Sequence, residues 1–381
     1  MKKKFAMVLL ILILMNQIYM PLKTYAQAEP SITAKNAYVM DCETDRCLYE
    51  KNSEERVAMA STTKIMTAII TLENANLDDM VTVSKNAASI GGSVMYLSQG
   101  EVISVRNLLY GLMLPSGNDA AIALAEFVGG SVEAFCRMMN LKSIQLGAKD
   151  TSFTSPHGLD DDYHYTTAKD LAVITKYALG NSTFREIVAT KSINAGGHSL
   201  RNTNDLLFSM DEVDGVKTGF TGKAGRCMVL TAIRNNHRVI IVILGCPTAE
   251  SRSNDGKKLV EYSLSNFSDY TVVTAGDKFG TVNVLRGVAG TINAKANENV
   301  VLTLTDDERA GLKIQPILIS DIKAPVEADT VIGRLEITSN GSLFKQIDLV
   351  ASESSRKKDF LDYMGEIMGK WAMVSIWNQL K

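Results

Sequence analysis

The 381-residue chain has little of what several functional classes require. It has no basic excess: 40 basic and 42 acidic side chains leave a formal charge of −2, so no nucleic-acid partner is expected. Its four histidines are scattered, with no CxxC and no His pair at ligand spacing, so no metal site is expected. There is no internal repeat and no low-complexity linker. The apolar run at residues 5–15 falls short of the roughly 18–20 residues that a membrane span needs. The five cysteines (Cys42, Cys47, Cys136, Cys227 and Cys246) are odd in number, so at least one thiol stays unpaired in a monomer. Cys42 and Cys47 lie in a β-hairpin pattern and could close a short loop across its turn in an oxidising compartment.

What is present is organised. Apolar residues make up 46% of the chain, enough for a substantial core, and the length fits two domains. Lys2, Lys3 and Lys4 precede the short apolar run, and small residues follow at Ala26 and Ala28. This is the plan of a secretory signal peptide over residues 1–28, cleaved after Ala26 or Ala28, so the mature protein works outside the cytoplasm.

Residues 34–50 read as strand, turn and strand. Ile65, Met66, Ile69, Ile70 and Leu72 then recur on one broad helical face. A helix breaks at Pro115, and a second begins near Asp119. Another helix ends at Gly147, and one more runs from a cap at Thr166 or Thr167 to Gly180. After Thr190, β-rich runs flank the turn Asn235-Asn236, and a closing helix covers "SRSNDGKKLVEYSLSNF". One sheet is therefore expected to be assembled from both ends of residues 29–269. Residues 270–355 show only short β-runs, the pattern of a small all-β domain. In residues 356–381, Phe360, Leu361, Met364, Ile367, Met368, Trp371 and Val374 fall on one helical side, with Ile376, Trp377 and Leu380 beyond it. Both tryptophans of the chain lie here, and Arg356, Lys357 and Lys358 flank the start. That suits an amphipathic helix in a membrane interface rather than one docked on the β-domain.

The stretch "ASTTKIMT" places Lys64 one helical turn after Ser61. A serine hydroxyl needs a base, and a lysine serves when burial or a neighbouring cation lowers its pKa. By itself this pair is an ordinary helix cap with a surface lysine. Two further stretches change its weight. Ser116-Gly117-Asn118 sits in the break after Pro115, and Lys217-Thr218-Gly219 lies on an expected buried strand. A lysine there suits a carboxylate ligand, and Gly219 would let a substrate backbone approach the strand.

Ser-x-x-Lys, Ser-x-Asn and Lys-Thr-Gly in this order are the motif set of penicillin-binding proteins and class A β-lactamases. Together with "LMLPSGNDAA", "SPHGLDDDYHYTTAKDLA" and "DGVKTGFTGKAGRC", the chain resembles the low-molecular-mass penicillin-binding proteins, serine-type D-Ala-D-Ala carboxypeptidases, over essentially its whole length. The resemblance implies an α/β (α+β) transpeptidase-like fold with an antiparallel sheet and a helical cluster, plus a small all-β domain and a terminal helix. It implies that Ser61 attacks the bond between two D-alanines of a peptidoglycan stem peptide, with Lys64 as base and Ser116 as proton relay. Asn118 would hold the substrate's peptide group, Lys217 would balance charge, and Thr218 would help hold the terminal carboxylate. Oxyanion donors would be the Ser61 N–H and one near Phe220. No metal or organic cofactor is implied. β-Lactam antibiotics would be covalent inhibitors, and the location would be the extracytoplasmic face of the membrane. Lys217 is the first candidate for lowering the Lys64 pKa.

Other polar groups carry weaker expectations. His157 is expected to order a loop, Asp214 to sit in a turn, and Asp160, Asp161 and Asp162 to form a solvated loop. Arg201, Asn202 and Asn204 lie in "HSLRNTNDLL", where Thr203 stands in place of an arginine found in some relatives. A β-lactamase is disfavoured, because SGN replaces SDN and no deacylating glutamate is legible between the second and third motifs. A scaffold without chemistry is disfavoured because all three motifs are intact. An endopeptidase would use the same residues.

Overall fold

A computed structural model describes residues 29–379. The expected leader at residues 1–28 and Leu380 lie outside the described residues, as do the side chains of Val374, Ile376 and Trp377. A five-stranded antiparallel sheet is built from both ends of the first region. Its strands are β1 (Asn36–Asp41), β2 (Cys47–Lys51), β3 (Val213–Thr221), β4 (Gly225–Arg234) and β5 (His237–Cys246), in the order β2-β1-β5-β4-β3. The β4–β5 hairpin turns on Asn235 and Asn236, both at positive φ (51° and 66°), as two-residue hairpin turns demand.

Strand β5 reads "VIIVIL" because the sheet is buried on both faces. Ile240, Val242 and Leu244 join the core under the helices, while Val239, Ile241 and Ile243 join the core under the closing helix Ala249–Asn266. The helical side comprises α1 (Lys64–Asn74), α2 (Val105–Met113), α3 (Asn118–Gly129), α4 (Val132–Gln145), α5 (Ala168–Leu179) and α6 (Ser182–Ala189). Thr167 caps α5 by accepting from the Asp170 N–H, one of the two positions expected.

After Asn266 the chain changes character. A six-stranded and a two-stranded sheet enclose a separate apolar core, interrupted only by the short helix Asp306–Ala310. A final helix, α7, spans Phe360–Gln379. Phe360, Leu361, Met364, Ile367, Met368 and Trp371 on it are all exposed, so this face is not docked on the protein. Among the described residues, no helix is long and apolar enough to cross a membrane.

One possibility left open by the sequence closes, and one expectation fails. Cys42 and Cys47 are free thiols: a register shift after Val39 pairs Cys47 with Met40, so Cys42 does not face it. Asp214 lies within β3, not in a turn, and takes both Arg238 Nη atoms at 2.9 and 2.7 Å.

Arg46, in the β1–β2 turn, pins the two regions together. It donates two parallel hydrogen bonds to Glu308 (2.8 and 2.7 Å) and lies over the Phe267 and Phe344 rings (5.3 and 5.2 Å). Replacing Arg46 with Met keeps the stem and removes the fork. This should cost about 2 kcal/mol, read as a lowered urea midpoint. An unchanged midpoint would show that the fork contributes nothing net.

Candidate active site

Ser61 sits in a single 3-10 turn, Ala60–Thr63, and Lys64 opens α1 directly after it. Ala60 is buried at φ +48°, a costly conformation for a residue with a Cβ, so its surroundings must impose it. The loop at residues 151–166 does so. Gly158 (φ +86°) packs so closely that a Cβ there would lie 2.0 Å from the Ala60 carbonyl oxygen. Thr67 donates to the Pro156 carbonyl at 2.6 Å.

Lys64 is fully buried. Its Nζ lies 2.9 Å from Ser61 Oγ, 2.7 Å from Asn118 Oδ1 and 3.0 Å from the His157 carbonyl oxygen. The Asn118 amide is oriented by its Nδ2, which donates to the Gly91 carbonyl at 2.8 Å. Two neighbours of Nζ can therefore only accept. A neutral amine satisfies both with its two N–H bonds, and its lone pair is left for the one neighbour that can donate, the Ser61 hydroxyl. Burial, then the Lys217 cation, holds the Lys64 pKa well below the ordinary lysine range; Asp119 opposes them. Lys217 thus acts as expected, but second to burial.

Lys217 is also fully buried, on β3, and donates to the Thr218 carbonyl at 2.9 Å. Burial and then Arg252 lower its pKa to about 7. Thr218 Oγ1 lies 2.7 Å from Thr203 Oγ1, so Thr203 borders the carboxylate end of the motif. Gly219 is needed for close approach, but to the Ser61 turn: a Cβ there would be 2.9 Å from the Ser61 nitrogen. Ser116 is buried at φ +69°, and among the described residues its Oγ has no hydrogen-bond partner. The structure therefore brings Ser61, Lys64 and Asn118 into direct contact and places Gly219 against the same turn.

The weaker candidates resolve individually. The His157 main-chain carbonyl, not its ring, touches Lys64. Asp160 accepts from Thr221 Oγ1 (2.5 Å) and Asp162 pairs with Lys223 (2.6 Å), which ties that exposed loop to the end of β3. Arg201 stacks on Phe208 at 4.2 Å, and the side-chain amides of Asn202 and Asn204 donate to the Thr190 and Gly215 carbonyls.

Sequence reasoning missed three contributors. Arg252, on the closing helix, is the cation that presses on Lys217. Asp119 is buried, and its carboxylate accepts from the Met95, Leu97 and Ala120 N–H groups. His164 accepts from the Thr154 N–H at Nδ1 (3.0 Å), so its proton is on Nε2 and points to Thr63 Oγ1 at 2.8 Å. Only Asp119, beside the SGN triplet, had a local signal. A cavity of about 730 Å³ at the far end of α1, lined by Ile69, Leu72, Tyr177 and Phe184 among others, holds none of the motif residues.

Comparison with known proteins agrees with this geometry. Residues 23–248 match the peptidase S11 family, D-alanyl-D-alanine carboxypeptidase, and residues 267–357 match the penicillin-binding protein 5 C-terminal domain. The chain belongs to the D-alanyl-D-alanine carboxypeptidase family. It is a serine-type peptidase with the penicillin-binding-protein fold expected from the sequence. It is 33% identical to D-alanyl-D-alanine carboxypeptidase DacF of Bacillus subtilis (strain 168), over 89% of this chain and 90% of that one. Among solved structures it is similar to penicillin binding protein 5 from Haemophilus influenzae (30% identity, TM-score 0.78, 87% of this chain and 100% of that one). It is also similar to the Streptomyces K15 DD-transpeptidase (37% identity, TM-score 0.60, 63% and 100%).

Burial pushes the His164 pKa down to about 4. Its folded pKa lies below the ordinary 6.5, so the fold favours the neutral ring. That stability is complete above about pH 6.5 and is lost as pH falls toward 4, on the order of 3 kcal/mol in total. Urea midpoints for the parent and His164→Gln at pH 7.5 and 4.5 should show the larger acid loss in the parent. Equal losses would assign the acid sensitivity elsewhere.

Proposed function

We propose that Ser61 is the nucleophile of this carboxypeptidase and Lys64 its general base. The observation that carries this is a fully buried amine 2.9 Å from the hydroxyl, with its other two neighbours obliged to accept. Lys64 takes the Ser61 proton as Oγ bonds to the carbonyl carbon between the two D-alanines. The C–N bond then breaks, and the departing D-alanine amine receives a proton through Ser116. Water attacks the ester, releases the shortened stem peptide and restores the hydroxyl. The Ser61 N–H and one near Phe220 are the oxyanion donors in this reading.

The motif strand β3 is the last strand of its sheet, and its partner on one side is β4. An extended peptide can lie along the other side, with its terminal carboxylate toward Lys217 and Thr218. Asn118 is engaged by Lys64 and Gly91, so it holds the base in place and meets the substrate's peptide group from that position. Peptidoglycan maturation is the physiological setting, and β-lactams acylate the same serine. Residues 29–269 are the catalytic unit, residues 270–355 a stalk or partner surface, and residues 1–28 a secretory leader. The exposed apolar face of α7 supports peripheral membrane contact through residues 356–381.

Mass spectrometry after incubation with a diacyl-L-Lys-D-Ala-D-Ala peptide should show loss of one D-alanine with the parent and none with Ser61→Ala. Cleavage only of cross-linked dimers would favour an endopeptidase, and rapid turnover of bound penicillin a β-lactamase.

The rate constant for acylation by benzylpenicillin at low concentration reports the free-enzyme ionisations. It should rise with pH as Lys64 loses its proton, on a limb well below the ordinary lysine range. It should fall near or above pH 7 as Lys217 becomes neutral. Lys217→Gln should remove the falling limb and slow acylation at pH 6 by about 100-fold. A falling limb that survives this change would sink the assignment to Lys217.

A further inference from the structure

Three residues from three strands converge at the junction between the peptidase region and the C-terminal sheets. Asp41 ends β1, His237 begins β5, and Asp269 lies on the strand Ser268–Val273. His237 Nδ1 is 3.2 Å from Asp41 Oδ2 and 3.2 Å from Asp269 Oδ2, and the three atoms lie within 4.8 Å of one another. Asp41 is fully buried and the His237 side chain is 95% buried. Among the described residues, Asp41 Oδ2 and both His237 ring nitrogens have no aligned hydrogen bond beyond these ion-pair approaches. Buried polar atoms left this way are costly and call for a ligand.

The other oxygen of each carboxylate is committed. Asp41 Oδ1 accepts from the Thr44 N–H at 2.6 Å and the Glu43 N–H at 3.1 Å. Asp269 Oδ1 accepts from Thr303 Oγ1 at 2.8 Å. In each carboxylate one oxygen is fixed by hydrogen bonds while the other turns toward the His237 ring, as metal-binding carboxylates are oriented by their outer partners. We propose that Asp41, His237 and Asp269 bind one divalent transition-metal ion, zinc by preference, which fastens the C-terminal region to the catalytic sheet. The donor set is one imidazole and two carboxylates, which suits zinc over calcium or magnesium. A tetrahedral ion with bonds near 2.0 Å spaces its ligands about 3.3 Å apart, close to the two nitrogen–oxygen distances here. The ion's two positive charges balance the two carboxylates. Asp269 belongs to the strand that opens the C-terminal region, so the ion would cross-link segments more than two hundred residues apart in sequence.

The test uses the full mature chain, treated with a chelator and then titrated with zinc chloride by calorimetry. We expect one zinc per chain and a rise in the unfolding midpoint on binding. Asp269→Asn and His237→Asn should weaken zinc at least tenfold, with the rate of penicillin acylation unchanged. Asp269 is partly exposed, so its variant should fold even where the His237 change does not. No zinc above the level of the Asp269→Asn protein, or a midpoint indifferent to zinc, would overturn the proposal and leave an interdomain ion pair. Calcium or magnesium binding as tightly as zinc would overturn the choice of metal class.

Discussion

The proposed active site depends on keeping one amine out of water. Lys64 has no exposed surface, and burial is the largest cause of its lowered pKa. Burying an amine without partners costs several kcal/mol, and burying an unpaired ammonium costs far more. The surroundings answer both costs. The His157 carbonyl and Asn118 Oδ1 take the two N–H bonds, and Lys217 discourages a third proton. Asp119 is close enough to oppose this. Its charge is already shared among three backbone N–H groups, so it does not need the lysine as a partner.

The elements around the amine follow from that requirement. The His157 carbonyl reaches Lys64 because Gly158 has no side chain and can press on Ala60. Ala60 holds a left-handed backbone that turns Ser61 toward Lys64, and the Thr63–His164 bond braces the turn from the other side. Gly219 lets the edge strand β3 close onto the Ser61 amide. The glycine in Lys-Thr-Gly therefore packs directly against the Ser61 turn. Each contact is individually small. Together they over-determine a strained turn, which is how strain persists in a native state.

The legible parts of this arrangement were those with a local signature. Ser61 and Lys64 are three residues apart, and helix geometry alone puts them on one face. Strand β5 was legible because an apolar run bounded by turns has few other uses. The cap at Thr167 followed from its side-chain chemistry, and the stop at Gly180 from the lack of one. The rest was not local. Arg252 reaches Lys217 only after a helix folds over the back of the sheet, and His164 reaches Thr63 across a long loop. His157 contributes through its main chain, which no residue type advertises. Cys42 and Cys47 misled because hairpin facing depends on register, and a single shift at Val39 undoes it.

The sheet order explains why two regions can coexist without interfering. Among the described residues, contacts to the C-terminal region include those of Thr44, Arg46 and His237, at the β2-β1-β5 side. The Lys-Thr-Gly motif lies on β3, at the opposite edge, three strand spacings or about 14 Å from β1. The contacts that hold the second region therefore lie away from the β3 edge. The Streptomyces K15 enzyme matches along its full length while using only 63% of this chain, close to the share that the peptidase family match occupies. A relative of that size has the catalytic fold without a counterpart for the remainder. The peptidase family match ends at residue 248, before the second region begins. The junction carries the Arg46–Glu308 fork and the Asp41–His237–Asp269 cluster on the side of the sheet away from the Lys-Thr-Gly strand.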